Sequence, residues 1–315
     1  MIISLKKILD VAKKNRFAVA SPNVYSMETV ECAYQAAREL NAPVILMVWD
    51  GGPEWVEKVG NICKFFEKKY PDVVCSLILD HGGSYESEMT ALRSGFSGIM
   101  SDRSKLTFEE NVREVRKTVE PAHAVNVAVE AELGHVGEGL EYEETRDSGL
   151  TNPDEALEFI RRTEVDCLAV AVGTSHGVYK GTPHIDFDLL DKLDKLVDIP
   201  LVLHGGSGTG DDNLAKAVEH GINKVNLCSD LMLAMEKAVR GDALEKDQTG
   251  YRDSHAYDLY FMGILDAGHR GWTECLKHYM RLLKSEGKAD LYEEYKTEPE
   301  VNYYGEYDAS KMNIM

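Results

Sequence analysis

Short runs of β-branched and aliphatic residues alternate along the chain with amphipathic stretches whose apolar positions recur at three- and four-residue spacing. This is the sequence signature of parallel strand–helix units. Eight are predicted, with strands at 17–20, 44–48, 73–79, 98–100, 124–129, 167–172, 201–203 and 224–227. Helical patterns fall at 27–40, 54–70, 85–94, 107–119, 153–162, 187–196, 211–220 and 230–240. Local start signals agree: Asn152 stands before Pro153, an N-cap residue followed by proline at the first helical position, and Asp211 follows a glycine-rich turn. Eight units in about 240 residues predict a closed (β/α)8 TIM barrel, although an open doubly wound sheet shares the same local periodicity.

The placement of polar residues decides for the barrel. Chemistry in that fold collects just beyond the C-terminal ends of the strands. Here the strands run into Asn23, Asp80 and His81, Asp102, Glu132, His176, His204 and Asn226, and only the second departs, ending in Trp49 and Asp50. Residues 1–240 are therefore expected to form the barrel. From 241 onward the chain turns polar, with a helix expected at 272–283 and then an acidic, tyrosine-rich tail. This 241–315 extension is expected to serve packing and oligomerisation rather than a second function.

Composition narrows the partners. The 315 residues carry 35 basic and 54 acidic side chains, a net charge of −19. Such a surface repels phosphate backbones and anionic lipids, so neither nucleic acid nor membrane is expected as a partner. No apolar run approaches the roughly 20 residues that span a bilayer, and the opening segment has helical spacing without a cleavage site. The six cysteines are scattered with no CxxC pair, which predicts reduced thiols and a cytoplasmic protein.

Three histidines occupy equivalent places at strand ends, each beside glycine: His81 in LILDHGG, His176 in VAVGTSHG and His204 in LVLHGGSG. Three neutral imidazoles converging over a barrel mouth with one open position make a catalytic metal site. The other seven histidines lack the pattern and are read as structural. Asp80 would sit beside such a metal, either moving a proton on a substrate hydroxyl or orienting a histidine. Asp102 and Glu132 are candidates for a second metal or a structural site; of the cluster Glu130, Glu132, Glu138, Glu141, Glu143 and Glu144 most are expected to be solvated, with Glu132 the one to face the mouth and a loop glutamate such as Glu138 or Glu141 able to swing in as a base. The Gly205-Gly206-Ser207-Gly208 loop follows a strand and precedes a helix, and Asn226 to Ser229 end the eighth strand. Loops after strands seven and eight are the habitual phosphate site of barrels. Lys180 is either a further positive charge there or a solvated loop lysine.

These residues resemble the class II, zinc-dependent ketose-bisphosphate aldolases, which include fructose- and tagatose-bisphosphate aldolases. The similar strings are SPNVYSMETV, NAPVIL, LILDH, GFSGIMSD, VEAELGHVG, LTNPDEALEF, CLAVAVGTSHGVYKG, PLVLHGGSG and KVNLCSDL, in order from residue 5 to about 240. The resemblance implies that His81, His176 and His204 bind zinc, or another divalent metal, and that Asp80 exchanges the proton of the aldol hydroxyl. It implies that Gly177, Lys180, Gly205, Gly206, Ser207, Asn226 and Ser229 hold the ketone phosphate; Asn23, at the end of the first strand, is a further substrate-binding candidate, and a monovalent cation a possible addition. A homodimer or homotetramer is expected on the same ground.

The departures from the family pattern concern the aldehyde half of the substrate. Trp49 stands where the family has a small or hydroxylated residue, and Gly82-Gly83 follow the Asp-His pair. The glutamate loop reads GEGLE, leaving Glu138 and Glu141 as candidate bases, and the arginine motif for a distal phosphate is only echoed at Arg252. The expectation is a metal-dependent aldolase that releases dihydroxyacetone phosphate from a ketose 1-phosphate or 1,6-bisphosphate, with a non-standard aldehyde pocket. The alternatives are a metal-dependent sugar-phosphate isomerase or epimerase, and a non-catalytic sugar-phosphate-binding barrel.

Overall fold

The computed structural model describes residues 1–138, 149–177, 179, 183–248 and 262–297. Eight parallel strands close into a barrel: β1 (Val19–Pro22), β2 (Val44–Trp49), β3 (Cys75–Gly82), β4 (Gly98–Ser101), β5 (Ala128–Leu133), β7 (Cys167–Val170), β9 (Leu201–Leu203) and β10 (Ile222–Leu227). Closure is made by β1 on β10, with Ser21 opposite Asn226. Two short strands outside the barrel, β6 (Gly137–Glu138) and β8 (Ser175–His176), pair with each other. The helices are α1 (Leu5–Lys14), α2 (Met27–Glu39), α3 (Pro53–Lys69), α4 (Tyr85–Arg93), α5 (Phe108–Ala124), α6 (Pro153–Thr163), α7 (Phe187–Leu196), α8 (Asp211–Glu219), α9 (Ser229–Gln248) and α10 (Met262–Leu282).

Strand alternation sorts the core into two shells. Val44, Leu46 and Val48 of β2 join the outer shell between sheet and helices, while Ile45 and Met47 point into the barrel. The barrel's N-terminal end is plugged by α1. Its Leu5, Ile8, Leu9 and Ala12 lie at one helical face, all fully buried, and pack with the inward-facing strand residues. Burying each of the larger three contributes about 1.5–3 kcal/mol. The approach is close enough that a Cβ on Gly98 would lie 2.8 Å from Leu5 Cβ. With the bottom filled, only the C-terminal mouth is open to chemistry.

Element boundaries differ from the sequence expectation at several places. The fifth strand starts at Ala128, not 124, because α5 continues past Pro121 to Ala124, burying Val119 and Ala122, and turns out through Asn126 at φ 59°. The last barrel helix, α9, runs through position 240 to Gln248 without a break, and the following helix begins at Met262 rather than 272. Trp272, Leu276, Met280 and Leu283 belong to the outer shell of the barrel core. The 3-10 segment Ala289–Thr297 is tied to α1 by Tyr292, whose hydroxyl donates to the Ile8 carbonyl at 2.8 Å. None of the six cysteines is paired in a disulfide. Among the described residues, no helix is long and apolar enough to cross a membrane.

Candidate active site

The three histidines singled out by pattern meet at the mouth. His81 lies in β3, His176 in β8 and His204 directly after β9. Their ring centroids are 4.8 Å (His81 to His204), 5.0 Å (His81 to His176) and 5.6 Å (His176 to His204) apart. His81 reaches this position through a left-handed backbone, φ 49°, which is unusual for a residue other than glycine. Its Nδ1–H donates to Asp102 Oδ2 at 2.7 Å, so Nε2 is the nitrogen left for the mouth. The Nε2–H of His204 donates to Glu130 Oε1 at 3.0 Å, leaving Nδ1. That Nδ1 and His176 Nε2 are buried with no hydrogen-bond partner. Buried polar nitrogens normally find partners. Two that do not, with ligand atoms of all three residues within 4.8 Å of one another, fit a cation held by imidazoles.

Electrostatics divides the three rings. Burial disfavours charge on His81, yet Asp80, Asp102 and Glu132 outweigh it and lift the imidazole to about 9 without a metal. For His176, burial and the neighbouring His204 and His81 act together and push it down to about 4. Burial raises Asp102, but its hydrogen bond and attraction to His81 hold it below the usual carboxylate range. A second grouping, His81 with Asp102 and Glu132, overlaps the first. Glu132 Oε1 accepts from the Val136 N–H at 3.0 Å, while the buried, unpartnered Oε2 lies 3.6 Å from His204 Nδ1.

Asp80 is buried at the end of β3, and Asn23 Nδ2 donates to its Oδ2 at 2.8 Å; Oδ1 lies 4.0 Å from His81 Nε2. Trp49 pairs in register with Asp80. It shares the inward parity of Ile45 and Met47, but one layer higher, where it is 53% exposed at the rim. The next residue, Asp50, accepts from Gly52 N and Gly83 N, both at 2.9 Å, tying the loop after β2 to the glycines after β3.

On the opposite side, glycine is required: Gly205 has φ 65° and a Cβ there would lie 2.1 Å from the Ser175 carbonyl oxygen. Ser207 Oγ accepts from the N–H of Cys228 at 3.0 Å and of Asp230 at 3.2 Å, seating the loop on the first turn of α9. Its own hydroxyl proton remains available to donate. The positive end of the α9 dipole, at Ser229, therefore faces the same loop. Asn226, next to the last residue of β10, has its side-chain oxygen taken by Lys224, and Gly177, at φ 81°, follows His176. Lys180, Glu141 and Arg252 lie outside the described residues, as does the side chain of Glu138; the backbone at Glu138 pairs with His176.

One expectation is corrected. Glu130 is not solvated; it is fully buried inside the barrel, accepting from Lys224 Nζ at 2.8 and 3.1 Å and from His204. Lys224 was read only as part of a strand. The available signal was parity: Glu130 lies two residues before Glu132 on the same face of β5, so it must point into the barrel and needs a partner there.

The fold and this mouth define a (β/α)8-barrel enzyme of the metal-dependent class. The chain matches the model of the Fructose-bisphosphate aldolase class-II family over residues 3–288, and it belongs to that family. Fructose-bisphosphate aldolase of Thermus caldophilus is 37% identical over 315 residues, covering 92% of this chain and 100% of the relative. The Staphylococcus aureus (strain Mu50) fructose-bisphosphate aldolase is 38% identical over 255 residues, 79% of this chain and 88% of the relative. The crystal structure of the YdjI aldolase from Escherichia coli K12 superposes with a TM-score of 0.79 at 30% identity, covering 92% of this chain and 100% of that one.

Proposed function

We propose that the protein is a zinc-dependent aldolase that reversibly cleaves a ketose 1-phosphate or 1,6-bisphosphate to dihydroxyacetone phosphate and an aldehyde. The observation that carries this is the convergence of unpartnered His176 Nε2 and His204 Nδ1 with His81, beside Asp80 and opposite the Gly205 loop. His81 Nε2, His176 Nε2 and His204 Nδ1 are assigned as the zinc ligands. Zinc, when bound, supplies Lewis-acid polarisation of the ketone oxygen.

The remaining work falls to the chain. Asn23 fixes Asp80 Oδ2, so Oδ1 is the atom that takes the C4 hydroxyl proton. As it does, the C3–C4 bond breaks, its electron pair stays with the ketone half, and the aldehyde carbonyl forms. The C3 proton is assigned to a glutamate such as Glu138 or Glu141. Gly205, Gly206, Ser207, Asn226 and Ser229, with Gly177 and Lys180, hold the phosphate-bearing half, so these groups act at close range. Asp102 is assigned as the orienting partner of His81. Trp49, adjacent to Asp80, meets the leaving aldehyde, which need not be glyceraldehyde 3-phosphate. Residues 241–315 are assigned to packing and to a homodimer or homotetramer interface, supported by Ile264 on α10 and Met232 and Leu233 on α9, apolar side chains left exposed.

Replacing His204→Ala tests the core assignment. Both metal retention and turnover should be lost, and an unchanged rate in a metal-verified sample would refute it.

A further inference from the structure

We infer that Lys224 is a positioning residue that links the metal-binding half of the site to the half that binds the ketone phosphate. Its side chain is fully buried inside the barrel. The ammonium donates to Glu130 Oε1 at 3.1 Å, to Glu130 Oε2 at 2.8 Å and to Asn226 Oδ1 at 2.8 Å, which uses all three protons. In one direction, Glu130 then accepts from His204 Nε2 at 3.0 Å. A histidine held at one nitrogen presents the other, and here that other is the buried, unpartnered Nδ1. In the other direction, the carbonyl end of the Asn226 amide is committed to Lys224, so its NH2 end is the one offered to an incoming ligand. Donors suit an oxygen-rich anionic substrate, and a flipped amide would not.

Stability does not explain this arrangement. A buried Lys–Glu pair is commonly no better than apolar residues of the same volume, because two charges must be stripped of water. What methionine at 224 would lack is three fixed donors that orient two different side chains at once. Glu130 and Lys224 are 94 residues apart in sequence, on β5 and β10, so the link spans the barrel interior. Cys167 Sγ, 3.7 Å from Glu130 Oε2, adds only a weak contact to the same carboxylate.

The inference rests on the proposed zinc and dihydroxyacetone phosphate sites, and the test keeps the two apart. Zinc affinity is measured by chelator competition with zinc alone, and dihydroxyacetone phosphate affinity by calorimetry at saturating zinc. Lys224→Met leaves Glu130 buried without its countercharge, so the double variant Glu130→Gln/Lys224→Met, with no uncompensated charge, is measured beside it. Asn226→Ala and Glu130→Gln complete the set. Glu130→Gln is expected to weaken zinc about tenfold or more and leave dihydroxyacetone phosphate within about twofold once zinc is saturating. Asn226→Ala should do the reverse. Both variants that lack Lys224 should lose about tenfold in each affinity, beyond any change in thermal unfolding. If the folded double variant keeps both affinities within about twofold of the wild type, or loses only one, the link is overturned. Failure of the wild type itself to bind dihydroxyacetone phosphate would instead sink the functional reading, since the zinc arm stands by itself.

Discussion

His81 Nδ1 lies 2.7 Å from Asp102 Oδ2 and is thereby fixed with Nε2 turned to the mouth. Asp102 also accepts from the Ser104 N–H at 3.0 Å, which anchors the carboxylate at the start of the loop after β4. Removing such a partner typically weakens a metal site by about 10–100-fold. Asp102→Ala should therefore weaken zinc by that range in chelator competition, with activity recovered substantially when zinc is added in excess. Wild-type zinc affinity in a folded Asp102→Ala protein would count against the assignment.

Metal uptake should be coupled to protons. In the metal-free protein Asp80 and Asp102 lift His81 to about 9 against its burial, whereas burial holds His176 near about 4. At pH 7 His81 carries a proton that a cation must displace, and His176 carries none. Zinc binding should release about one proton at pH 7 and tighten by about tenfold per pH unit up to pH 9, then level off. Calorimetry in two buffers of different ionisation enthalpy measures the release, and affinity that stays flat from pH 7 to 9 would contradict it. The same raised value stabilises the metal-free fold. That contribution is fully present below the unfolded histidine value, about 6.5, and is lost as pH rises through about 9.

Trp49 shares a register position with Asp80 and stands half exposed at the rim. In the proposed assignment this aromatic wall meets the aldehyde half of the substrate and not the phosphate loop across the mouth. Trp49→Ser should lower kcat/KM for the preferred ketose phosphate by about tenfold, a difference of about 1.4 kcal/mol, and reorder the ranking of aldehydes in condensation. Dihydroxyacetone phosphate affinity should stay within about twofold. Competition assays with mixed aldehydes read this directly, and an unchanged ranking would remove Trp49 from the pocket.

The barrel and the three histidines were legible because both depend on short-range pattern. Period-2 and period-3.6 apolar spacing marks the units, and strand ends mark where chemistry can collect. What escaped required closure of the sheet. Glu130 finds its countercharge only when β5 and β10 face each other across the interior, a relationship no local window contains. The start of β5 was misplaced for a local reason, since α5 accommodates Pro121 and the β-branched residues after it continue the apolar pattern without a visible stop. The paired strands at Gly137 and Ser175 are two residues each, too short to show any alternation.

The central claim is tested most directly by product analysis. Purified protein is incubated with a panel of ketose phosphates, including fructose and tagatose 1,6-bisphosphates and ketoses without the second phosphate, and dihydroxyacetone phosphate is quantified with and without chelator. The account predicts release from at least one member, stopped by chelator and restored by zinc. Release that persists in metal-free protein, or conversion to an isomeric ketose or aldose with the carbon chain intact, would contradict it.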